Sequence, residues 1–93
     1  MVVTNPYIEY KENSADQFTI REFKSNIDFN ELVWHRDAED RIIESIGDTK
    51  WLFQFENNLP ISFNDKIFIP KNMYHRLIKV GNANLKLKLW KLK

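Results

Sequence analysis

The sequence predicts an all-β domain, an antiparallel sandwich or barrel, and three observations carry that expectation. Seven or eight short apolar segments recur at regular spacing, with Gly, Pro, Asn and Asp residues between them. Leu85, Leu87 and Leu89 alternate with Lys86 and Lys88, the period of a strand with one wet face. No window carries the apolar period of a helix, and Asp28 to Leu32 offers at most a single turn.

Taken in order, residues 1–17 are polar and mixed in charge, and read as an N-terminal arm or a short edge strand. Residues 18–93 then read as the domain itself, the sandwich or barrel. Phe18, Ile20 and Phe23 suggest its first strand, and Leu32-Val33-Trp34-His35 the next. Arg41 to Ile46 and Trp51 to Phe55 flank Gly47-Asp48-Thr49-Lys50, which reads as a hairpin loop. Asn57-Asn58 with Pro60 marks a second turn and Asn64-Asp65 a third. Lys66 to Ile69 is a strand stopped by Pro70, and Tyr74 to Val80 another, closed by Gly81-Asn82. The strand of alternating leucines completes the domain.

Composition narrows the function classes. A chain of 93 residues with 43% hydrophobic and 14% aromatic residues can build one real core. Fourteen Lys and Arg against thirteen Asp and Glu leave a formal net charge of +1, which gives no support for a dedicated nucleic-acid binder. The Lys86, Lys88, Lys91 and Lys93 stripe reads as the outer face of an edge strand, guarded against aggregation. Zero cysteines exclude disulfides, thiolate zinc sites, iron–sulfur clusters and a cysteine nucleophile. No signal pattern and no apolar run of membrane length is present, so the expectation is a soluble cytoplasmic protein without a membrane partner.

Chemistry is concentrated around the two histidines. His35 lies in Trp34-His35-Arg36-Asp37-Ala38-Glu39-Asp40-Arg41, and His75 in Pro70-Lys71-Asn72-Met73-Tyr74-His75-Arg76. Two imidazoles and a carboxylate make a common site for non-haem iron and related divalent ions. Strand alternation puts Asp37 on the face of His35, with Trp34 and Arg36 opposite; likewise Met73 and Leu77 share a face with His75, opposite Tyr74 and Arg76. The competing reading is two strand histidines satisfied by carbonyls or carboxylates, beside an acidic turn compensated by Arg36 and Arg41. Arg36, Arg41 and Arg76 are candidates for holding an anionic ligand, with charge compensation of the acidic turn as the alternative, and Gln54 either reaches into the cavity or hydrogen-bonds a neighbouring strand.

Two spacings resemble the motifs of the cupin superfamily, small jelly-roll barrels. Pro70, Asn72 and His75 stand at the places of the Pro, Gly and His of the second cupin motif, with Asn64-Asp65 in the position of its Gly-Asp lead-in. Asn tolerates the left-handed backbone better than most residues. Counting back from Gly47 puts Asp40 at the motif glutamate and His35 at the second motif histidine, with Val33 in place of the first. A rival register makes His35 the first histidine and Asp37 the stand-in for the second. The pieces Trp-His-Arg-Asp, Phe-Gln-Phe and Tyr-His-Arg also resemble a group of very small, RmlC-like, single-domain cupins of unassigned reaction.

The resemblance implies an antiparallel double-stranded β-helix that binds a divalent metal, Fe, Mn, Ni or Zn, through His35, His75, Asp40 and Asp37. It also implies a small-molecule ligand and a homodimer, with Trp34, Tyr74 and Trp90 as interface anchors. Such a protein is either a metalloenzyme acting on a small polar or anionic molecule, or a metal-free binding or assembly module.

Overall fold

The computed structural model describes residues 7–11, 18–27 and 32–92, and all regular structure among them is β-strand. Eight strands occur in order: β1 (Ile8–Lys11), β2 (Thr19–Phe23), β3 (Asp40–Ser45), β4 (Leu52–Phe55), β5 (Ile61–Ser62), β6 (Ile67–Ile69), β7 (His75–Ile78) and β8 (Leu85–Leu92). They form two antiparallel sheets, one in the order β1-β2-β8-β3-β6 and the other in the order β5-β4-β7. The all-β expectation holds. The single turn considered near Asp28 falls largely on residues 28–31, outside the described residues.

Alternation decides which side chains meet between the sheets. In β8, Leu85, Leu87 and Leu89 are buried while Lys86 is exposed, as the period-two pattern requires. Ile43 of β3, Ile67 and Ile69 of β6, and Phe53 of β4 join them in one core. Trp51, just before β4, is fully buried and donates its indole N–H to the Ala83 carbonyl at 2.9 Å. That bond satisfies the polar end of a large buried ring and ties β4 to the turn before β8.

Four expectations about elements are corrected. Leu32 to His35 is not a strand: only His35 pairs, in an isolated bridge with His75. The Val33 carbonyl, next in line for the ladder, is taken by the His35 ring instead. The segment Gly47 to Lys50 is no hairpin loop, because β3 pairs with β6 and β8 while β4 pairs with β5 and β7. It carries the chain from one sheet to the other, with Gly47 at φ +81° and Ile46 N–H held by the Lys86 carbonyl. β8 is a central strand and not an edge, so its lysines have cross-strand partners such as Glu22 opposite Lys86 and Glu44 opposite Lys88. Finally, among the described residues the left-handed asparagines are Asn57 and Asn72, at φ 62° and 65°, and Asn64 is not one of them.

Residues 7–11 close the five-stranded sheet. β1 is its edge, paired antiparallel with β2. Among the described residues no helix is long and apolar enough to cross a membrane.

Candidate metal centre

The turn between β6 and β7 explains how two clusters distant in sequence become one site. Pro70 ends β6, Asn72 takes the left-handed conformation, and Met73 N–H returns to the Pro70 carbonyl. This turn is laced to the acidic loop: Lys71 N–H donates to Asp40 Oδ1 and Asn72 N–H to the Asp37 carbonyl, both at 2.7 Å. The lacing delivers His75 opposite His35, where their backbones exchange N–H···O=C bonds of 2.9 and 3.0 Å.

Both rings are oriented by carbonyl groups two residues back. His35 Nδ1 lies 3.0 Å from the Val33 carbonyl and His75 Nδ1 2.8 Å from the Met73 carbonyl. A carbonyl only accepts, so each Nδ1 carries a proton, and in a neutral ring so held Nε2 keeps its lone pair. The rings meet edge to face with centroids 4.3 Å apart, and Phe53 stacks on His75 at 5.5 Å. His35 is exposed, Asp37 half-buried and His75 buried, so the group runs from the mouth of the barrel inward. One ligand atom from each of the three lies within 4.8 Å of the other two.

The electrostatics of this group are incomplete as it stands. Asp37 Oδ2 is 3.3 Å from His75 Nε2, yet it is buried without a hydrogen bond. Burial, ahead of every other influence, pushes the proton affinity of His75 down, and the neighbouring His35 and Arg41 push the same way. The opposing pulls of the Met73 carbonyl and Asp37 are weaker. Neutral His75 therefore turns a lone pair toward a carboxylate oxygen, and a cation between them would satisfy both. The donor set fits a divalent transition metal.

Arg41 holds the other side of Asp37. Its Nη1 lies 3.2 Å from Asp37 Oδ1, while Nε and Nη2 donate to Glu39 Oε1 at 3.0 and 2.8 Å. Those bonds, first among the causes, lower the pKa of Glu39. Asp40 stands outside the ligand group, with Oδ1 on the Lys71 amide. Gln54 and Arg76 pair with each other, Arg76 Nε donating to Gln54 Oε1 at 2.9 Å, and neither lines the cavity. Arg76 also covers the Trp34 ring and Arg36 the Tyr74 ring, at 4.6 and 5.3 Å. They form an outer-face row set by the bridge register. Trp90 is half-buried against Phe18.

The site opens into a cavity of about 290 Å³ between the sheets, walled by residues such as Ile43, Phe53, Leu77 and Leu87. Arg41 is on its wall, and so are Tyr7 and Arg21, which the sequence reading did not single out. The parity of β2 carried a signal for Arg21, since it shares its face with Phe23, a core residue.

Comparison with solved structures bears on the fold. An RmlC-like cupin family protein with a double-stranded β-helix fold from Methanocaldococcus jannaschii superposes with a TM-score of 0.63 at 10% identity, over 92% of this chain and 79% of that one. The chain has the cupin fold. A cupin domain from Bordetella pertussis gives a TM-score of 0.59 at 12% identity, over 99% and 100% of the two chains. The chain also superposes on one from crystal structures of DMSP lyases, at TM-score 0.63 and 18% identity over 92% of this chain and 46% of that one. No protein-family model and no curated protein matches by sequence. At these identities the likeness concerns the cupin fold alone.

Proposed function

We propose that this cupin barrel binds a divalent transition metal through His35 Nε2, His75 Nε2 and a carboxylate oxygen of Asp37, and presents it to a small molecule in the cavity. The observation that carries the reading is the buried Asp37 Oδ2, left without a hydrogen bond and facing the free lone pair of His75. Fe, Mn, Ni and Zn all suit two imidazoles and one carboxylate. Three protein ligands leave coordination positions open, the arrangement of a catalytic rather than a structural metal site. A metal so held polarises a ligand oxygen or activates bound water.

The chain's own residues define the rest of the site. Val33 and Met73 carbonyls fix the tautomers, Arg41 fixes Asp37, and the apolar wall keeps bulk water from the inner ligand. A metal-free binding or assembly module is the second reading. It is favoured by Arg41, which compensates the Asp37 charge from 3.2 Å without an ion.

Metal analysis of purified protein, then of protein incubated with each of the four ions, separates the two. About one ion per chain is expected, falling below a tenth in His35→Ala and His75→Ala. Protein that stays metal-free under excess of all four ions overturns the metal reading. A homodimer is proposed as the assembly, and light scattering returning a monomer over a wide concentration range would contradict it.

A further inference from the structure

We propose that Arg21 is the anion anchor of the barrel cavity and selects a small monocarboxylate with an apolar body. The inference rests on reading this cavity as a ligand chamber and names the class of its occupant.

β2 directs Arg21 inward beside Phe23, onto the cavity wall. Its side chain is 14% exposed, and its buried Nε–H has no hydrogen bond. Glu9 on the edge strand is within ion-pair range at 3.6 Å, too far to accept that proton. The guanidinium carbon sits 4.2 Å over the Tyr7 ring, which holds the planar group in place without using its donors. Arg41 differs: Asp37 and Glu39 already engage its Nη1, Nη2 and Nε. Arg21 thus brings to the wall a guanidinium whose one charged neighbour among the described residues, Glu9, stands outside hydrogen-bond range.

An acceptor supplied by a ligand would complete it, and the guanidinium fork matches a carboxylate in two parallel hydrogen bonds. The charges on the cavity wall agree. Arg21 and Arg41 exceed Asp37 by one positive charge, and a divalent ion would add to the excess. The remaining wall is apolar, with Phe23, Ile43, Leu87 and Leu89 beside Arg21 and Phe53 and Leu77 opposite. A volume of about 290 Å³ corresponds to about ten water volumes at ~30 Å³ each. That suits a body the size of benzoate or a short fatty acid.

Titration calorimetry with benzoate and hexanoate, against benzamide and hexanamide, tests the proposal, with metal content measured on the same samples. The acids are expected to bind at least ten-fold more tightly than the amides. Arg21→Met should weaken acid binding at least ten-fold, the loss of a charge-assisted hydrogen bond, with metal content unchanged. Glu9→Gln removes the acid that partly offsets Arg21, and should tighten acid binding a few-fold. Absence of binding by either acid, equal binding of amides, or undiminished affinity in Arg21→Met overturns the proposal. Should Arg21→Met fail to fold, unchanged affinity in Glu9→Gln overturns it instead. Failure of the metal reading would show as metal-free wild-type protein, on which the acid-to-amide contrast is read in the same way.

Discussion

His75 gathers most of the residue-scale physics of the site. Its ring is buried, stacked on Phe53, oriented by the Met73 carbonyl and pointed at Asp37. Burial penalises the imidazolium, so folded His75 binds a proton less readily than the unfolded chain does. The unfolded state therefore takes up more protons as pH falls through the ordinary histidine value of 6.5, and folding loses stability there. In chelator-treated protein the melting temperature should hold above pH 6.5 and fall below it; His75→Gln should flatten the fall. Asp37→Asn keeps the side chain's shape and removes its charge. It is expected to lower metal affinity at least ten-fold with little change in melting temperature, read by competition with a chromogenic chelator.

The turn Pro70 to Met73 is the element on which the site depends, and Asp40 belongs to it. Its carboxylate caps Lys71, so Asp40→Asn, which can still accept that N–H, should retain wild-type metal content. Asp40→Ala should cost about 1 kcal/mol, the worth of one hydrogen bond, measured by urea unfolding. Asn72→Ala should cost a similar ~1 kcal/mol because alanine resists the left-handed backbone, while Asn72→Gly should not. Sequence spacing placed Pro70, Asn72 and His75 on one turn because the constraint there is local: a proline stop, a residue tolerant of positive φ, and a strand start. Spacing could not separate Asp37 from Asp40. Which of two nearby carboxylates faces His75 depends on where β3 begins, and β3 begins at Asp40, whose own carboxylate turns to the Lys71 amide.

At the scale of the whole molecule, site and core are the same structure. Phe53 is 1% exposed, packs on Phe55 and Phe63, and also supports the His75 ring. Phe53→Ala should therefore cost about 3–5 kcal/mol, a large part of the stability of a domain this size, and release bound metal with it. Urea unfolding of holo and chelated protein would measure both effects. The outer faces carry a different chemistry. Lys66 lies over Trp90 and Lys88 over Phe18 on one sheet, and Arg36 and Arg76 cover Tyr74 and Trp34 by the other.

Local patterning by itself indicated most of the strands, the buried leucine face of β8, the turn before His75 and the two histidines as candidates for one site. Each depends on residues a few positions apart, through side-chain alternation or backbone preference, and so can be read along the chain. Tertiary structure alone decided that β3 and β4 lie in different sheets, that β8 is central, that Gln54 and Arg76 face outward, and that Arg21 and Tyr7 reach the cavity. Those outcomes follow from strand order and sheet pairing. Pairing is fixed by contacts between distant segments, and those contacts turn His35, Asp37 and His75 into one site.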